Sequence, residues 1–125
     1  MVNVRNGCAR FEAAMGVLAR PWTGLIFAAL EAGPLRFGAL RDAVGDIGDR
    51  MLSLRLRELE QRGLVTRHVI EGPPVRVLYQ LTAAGHGFRE VADAMRKWGS
   101  VILRAGKEKG TEAVGTDGER SRRQA

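Results

Sequence analysis

Little in this chain is suited to holding a metal, a disulfide or a membrane. Cys8 is the one cysteine in 125 residues, so no disulfide framework forms within the chain. One cysteine and two histidines, His68 and His86, give no metal-ligand spacing. A zinc site is therefore not expected, nor is any other cofactor. Acid pairs, a Ser-His-Asp set and a glycine-rich phosphate loop are also missing, which argues against an enzyme. No apolar run approaches the roughly 18 residues of a membrane helix. The first ten residues are polar and interrupted by charge, unlike a signal peptide. A soluble, cytoplasmic protein is expected, with no membrane partner. Aromatic residues make up only 6% of the chain. Lysine is scarce too, since 17 of the 20 basic residues are arginine.

What is present is a basic chain with enough apolar residues for one core. Hydrophobic residues make up 45% of it, and the net charge is +6. The length favours one domain. Residues 1–105 carry 15 basic and 10 acidic groups, and six arginines fall between positions 50 and 76 against three glutamates. A positive field that dense suggests a polyanionic partner. From position 106 on, Gly, Glu, Lys and Arg follow without apolar periodicity. Residues 106–125 are expected to be a disordered polar tail.

Apolar spacing sets the elements. Phe11, Met15 and Leu18 predict a first helix over 9–18. Pro21 suits the first turn of a second helix, whose apolar face is Trp22, Leu25, Ile26, Ala29 and Leu30, widened by Phe27. Gly33 and Pro34 end it. Phe37, Leu40 and Val44 mark a short third helix, and "GDIG" is the turn after it. Leu52, Leu56 and Leu59 are the inward stripe of a fourth helix over 49–62, stopped by Gly63. "LVTRHVI" and "VRVLYQL" alternate as strands around the turn "EGPP". Thr82 is a fitting N-cap for the last helix, where Phe88, Val91, Ala92, Met95, Trp98, Gly99 and Ile102 share a face.

Helix, turn, helix and then a hairpin is the layout of a winged helix-turn-helix: mainly α, with a small β-hairpin wing. At 100° per residue, Arg50, Leu54, Arg57 and Gln61 point away from the leucine stripe, with Ser53 at the flank. Two arginines and an amide are groups that read base edges or grip phosphates in the major groove. Leu54 is out of place on a solvated face, but it would cover a thymine methyl on DNA. The partner indicated is double-stranded DNA. A winged-helix module for protein or RNA is the alternative. The alternative for the arginines alone is a solvated face paired with Glu58 and Glu60.

The chain from 8 to 99 resembles the HxlR family of bacterial winged-helix transcription regulators, relatives of the MarR group. The resemblance rests on Cys8, "RPWTGLIFAAL", "GPLRFGALRDAV", "RMLSLRLRELEQRGLVTR", "PPVRVLYQLTAAG" and the final "WG". It departs from the family pattern at Pro21, Gly48 and Leu78. It implies a homodimer built by the first and last helices, with one recognition helix per half-site. By position, that helix is 49–62, and its candidate DNA contacts are Arg50, Ser53, Leu54 and Arg57. The wing is 66–79, with Arg67 and Arg76 near its sides, and Arg36 is placed to reach a phosphate. The last helix, whose stripe ends in Trp98 and Ile102, is expected to pair with a partner's copy.

Two routes for a signal are open. Cys8 precedes the first helix, and a thiol near a helix N-terminus can react as thiolate. In the resembling family a cysteine here often senses electrophiles, quinones or oxidants; the alternative is an inert, partly buried cysteine. With no second cysteine in the chain, oxidation at Cys8 either joins two subunits through Cys8–Cys8 or caps the cysteine with a small thiol. The other route is a small-molecule effector in a pocket lined by Phe11, Met15, Trp22, Phe27, Met95 and Trp98. Apolar residues at that spacing are more often core than pocket.

Overall fold

The structure, a computed structural model, describes the backbone of residues 8–124 and the side chains of residues 8–110. The elements are α1 (Ala9–Leu18), α2 (Thr23–Leu30), β1 (Leu35–Arg36), α3 (Phe37–Val44), α4 (Asp49–Gln61), β2 (Val65–Ile70), β3 (Arg76–Leu81), α5 (Ala83–His86) and α6 (Phe88–Gln124). They form two units, one ending at Phe88 and one beginning at Arg89. Among the described residues, no single helix is long and apolar enough to cross a membrane.

The core of the first unit gathers Ile26, Phe27 and Leu30 of α2 with Leu40 and Val44 of α3. Leu52, Leu56 and Leu59 of α4, Ile47 of the preceding turn, and Val65 and Leu81 of the strands complete it. Each of the large side chains contributes about 1.5–3 kcal/mol by leaving water. Phe27 stacks on Phe88, with ring centroids 4.6 Å apart. The three leucines of α4 therefore point as their spacing predicts, which turns the opposite face of that helix to solvent.

Local chemistry fixes where α4 begins and ends. Asp49 stands in its first turn, where a negative charge suits the helix dipole. Gly48 is the N-cap and offers no side-chain bond. Gly63 takes a left-handed φ of 74°. The amide of Leu64 then bonds the carbonyl of Leu59 at 2.9 Å, and that of Gly63 bonds Glu60 at 3.0 Å. This Schellman pair satisfies the last carbonyls and sends the chain into β2.

The sheet has three strands in the order β1-β3-β2, all antiparallel. The sequence indicates only the hairpin. β1 is two residues long, too short for alternation to reveal. It pairs Leu35 with Tyr79 and Arg36 with Leu78. Phe37 at the start of α3 lies 6.5 Å from the Tyr79 ring, which ties wing to core.

Three further boundaries differ from the sequence reading. Pro21 precedes α2 rather than opening it, and Trp22 is the N-cap with φ 74°. The last helix is broken at Gly87 into α5 and α6. Residues 106–124, expected as a disordered tail, continue the α6 backbone to Gln124. Extending an existing helix adds one bond per residue without a new nucleus, and Glu, Lys and Ala favour it. Side chains from 111 on, like residues 1–7, lie outside the described residues.

Thr82 caps α5 instead of the long helix. Its Oγ1 accepts from the Gly85 amide at 3.1 Å and donates to the Gly63 carbonyl at 2.7 Å. Gly85 is required beside it, because a Cβ there would stand 2.1 Å from the Leu64 carbonyl oxygen. Thr82→Ala removes both bonds and is expected to cost about 1–2 kcal/mol, measurable by urea unfolding.

Candidate nucleic-acid interface

The outer face of α4 carries the candidate site. Arg50, Ser53, Leu54 and Arg57 line one open cleft of about 460 Å³. Arg50, Leu54 and Arg57 are exposed, and Ser53 is half-buried at the flank. Arg50 and Arg57 are seven residues apart, or about 10.5 Å along a helix. An exposed leucine thus sits between two guanidinium groups on a surface otherwise in water. Gln61 does not join them; it lines a second cleft, of about 480 Å³, with Arg20, Glu58 and Arg62.

Which arginines are already committed decides what this face can grip. Among the described residues, no ion pair engages Arg36, Arg50, Arg57, Arg67 or Arg76. Arg41 is committed: its Nη1 donates to Asp49 at 2.8 Å. That hydrogen bond, and then the charge of Asp49, hold the Arg41 guanidinium above its usual pKa. The pair partly neutralises the one carboxylate in the first turn of α4, where it would otherwise repel a phosphate. Glu58 does not pair with the outward arginines, because Arg55 holds it.

Arg55 is the residue the sequence reading missed. It is only 5% exposed. Its Nε donates to the Pro21 carbonyl at 2.9 Å, and its Nη1 reaches both oxygens of Glu58 at 3.2 Å. The Pro21 carbonyl precedes Trp22, whose left-handed backbone is uncommon for a side chain of that size. Arg55 therefore locks the turn between α1 and α2 onto α4.

The wing presents its arginines on two faces. Arg67 pairs with Tyr79, and Ile70 pairs with Arg76. Side chains alternate along a strand, so Arg67 shares a face with Val65 and Val69, while Arg76 lies on the other with His68 and Ile70. Arg36, opposite Leu78 on β1, stands on the same face as Arg76 and is exposed. Thr66 and His68 hydrogen-bond each other at 3.2 Å.

Cys8 is exposed and is the N-cap of α1, where its Sγ accepts the Phe11 amide at 3.2 Å. The six candidate pocket residues are not alike. Phe27 is closed inside the core and Trp22 is half-buried against it. Phe11 and Met15 are exposed on α1, and Met95 and Trp98 are exposed on α6. Among the described residues, no group of His, Cys, Asp and Glu is placed to hold a metal.

Comparison with known proteins matches this layout. The family described as HxlR-like helix-turn-helix matches residues 17–107. The HTH-type transcriptional regulator YodB of Bacillus subtilis is 36% identical over 99 residues, which span 79% of this chain and 88% of YodB. The structure of reduced YodB superposes with a TM-score of 0.69 at 38% identity, covering 73% of this chain and 89% of that one. Quinone-bound YodB gives 0.66 at 34% identity, covering 74% and 98%. The redox regulator HypR in its oxidised form gives 0.67 at 35% identity, covering 73% and 94%.

Proposed function

Since the chain belongs to the HxlR-like helix-turn-helix family, we propose that it is a transcription regulator that binds specific sequences in double-stranded DNA as a homodimer. The observation that carries this is the cleft on α4. Two uncommitted arginines, a serine and an exposed leucine converge there on a helix whose opposite face is core. Arginine offers a bidentate fork to guanine O6 and N7, and leucine offers apolar contact to a thymine methyl. Arg36, Arg67 and Arg76 supply phosphate contacts, which fix orientation and give affinity without reading sequence. Such a protein works beside the chromosome, in the cytoplasm.

The dimer follows from α6. Val91, Met95, Trp98 and Ile102 recur along one face of it, and all four are exposed, Trp98 by 67%. Phe11 and Met15 of α1 are exposed as well. A partner copy covers these surfaces, and a two-fold dimer matches a palindrome with half-site centres about 34–36 Å apart. The test is a gel-shift titration against the DNA upstream of its own coding region, with an unrelated duplex as competitor. Retention of that fragment over the competitor is expected. Equal displacement by both duplexes overturns the proposal.

Control through Cys8 is supported by its exposure, by its place at the N-terminus of α1, and by the redox and quinone-bound forms in which the similar regulators occur. An oxidant joins two Cys8 thiols across the dimer or joins Cys8 to a small thiol; a quinone adds to it directly. Cys8→Ser is expected to bind DNA as the wild type does and to keep binding after a diamide or quinone pulse that releases the wild type. If both proteins respond alike, the signal does not run through Cys8.

A further inference from the structure

The cleft of Arg20, Glu58, Gln61 and Arg62 shares no residue with the cleft of Arg50 and Arg57. It measures about 480 Å³, the size of a small-molecule site. Arg62, at the end of α4, reaches back over α1: its Nη2 lies 4.0 Å from the point that a Cβ on Gly16 would occupy. Gly16 stands in the last turn of α1 and Arg20 just beyond it. Two guanidinium groups from separate elements thus meet at the end of α1. Among the described residues neither has an acidic partner. The one carboxylate of the cleft, Glu58, is held by Arg55 at 3.2 Å. Three guanidinium groups against one carboxylate leave the cleft at +2. The carbonyl end of the α1 dipole offsets only a fraction of that charge.

We propose that this cleft binds a small phosphate monoester, with Arg20 and Arg62 as forks on its oxygens and the Gln61 amide as a further donor. A phosphate monoester carries about −1.5 to −2 charges near pH 7 and three strong acceptor oxygens, which matches both the charge and the donors of the cleft. A monocarboxylate would leave one positive charge without a partner. Guanidinium forks bond phosphate oxygens two at a time. A backbone phosphate of DNA offers the same oxygens. A recognition helix meets base edges with its N-terminal residues, however, and the cleft lies at the C-terminal end of α4, so a free ester is the better fit. The bound anion bridges the α1–α2 turn to α4, the same two elements that Arg55 ties through the Pro21 carbonyl. The site does not depend on the DNA-binding reading above and is tested apart from it.

The experiment is an amide NMR titration of the full chain with glycerol 3-phosphate, at ionic strength held constant with sodium chloride. Shifts are expected to gather at residues 16–20 and 58–62 and to saturate with a Kd of about 1 mM or below. The variant carrying Arg20→Gln and Arg62→Gln keeps polar side chains at two exposed positions, and its spectrum reports whether it is folded. It is expected to bind the ester at least about tenfold more weakly. Shifts that do not saturate, or that centre on Arg50 and Arg57, overturn the site from the wild-type protein alone. Equal affinity in the two proteins also overturns it, and is the result if the arginines are merely seated at the carbonyl end of α1. Succinate bound as tightly as the ester overturns the phosphate assignment. A salt slope for duplex DNA that falls by about one unit or more in the variant gives the cleft to a DNA phosphate instead.

Discussion

Arg55→Met is expected to destabilise the fold by about 2–3 kcal/mol, which lowers Tm by on the order of 10 °C. Methionine fills much of the space and leaves no large cavity, so the loss is polar. The Pro21 carbonyl loses the donor it has at 2.9 Å. Glu58 loses its pair, but its side chain is 26% exposed and water recovers part of that. The left-handed backbone at Trp22 costs about 1–3 kcal/mol by itself and is held by its surroundings; without Arg55 the turn relaxes. Arg55→Lys places one point charge where a planar fork bonds in two directions, so it recovers only part of the loss. Differential scanning calorimetry on the three proteins checks the order. An unchanged Tm in Arg55→Met would mean that the α1–α2 turn is held by other contacts.

The Arg50→Ala, Arg57→Ala double variant is expected to lose specific DNA binding by between about 30-fold and 10⁴-fold, from about 1–3 kcal/mol at each base-reading arginine. The two positions are about two helical turns apart, so their effects add to a first approximation. Both side chains are exposed, and the fold should be untouched. Arg76→Ala has a different signature. It weakens all duplexes alike and flattens the salt dependence by about one unit of slope. Competition with altered operators separates the two classes. Duplex binding that survives alanine at Arg50, Arg57 and Arg76 together would favour the protein- or RNA-binding alternative.

Much of this fold is legible in the sequence because it is written in spacing and punctuation. α1 and α4 stand where apolar periodicity places them, and Gly63 ends α4 as expected. The wing register follows from two alternating runs around one turn. The cleft on α4 was also legible, since an inward leucine stripe fixes what points outward. Arg55 was not. It lies 40° from Leu59 around the helix, at the margin of the buried face, and charge suggested water. Its partner carbonyl is 34 residues away in sequence, a contact that no local pattern shows. β1 escaped because two residues carry no period. Phe27 was assigned to a pocket lining because aromatic spacing alone does not separate core from cavity; its stacking on Phe88 does.

Selection from a random duplex pool tests the central claim most directly. A dimeric reader with one α4 in each major groove enriches a palindrome whose half-site centres lie one helical turn, about 10–10.5 base pairs, apart or a multiple of that. It binds the enriched duplex at least about 10³-fold more tightly than unselected DNA at physiological salt. A pool that remains random after selection, with affinity unchanged from unselected DNA, would contradict it.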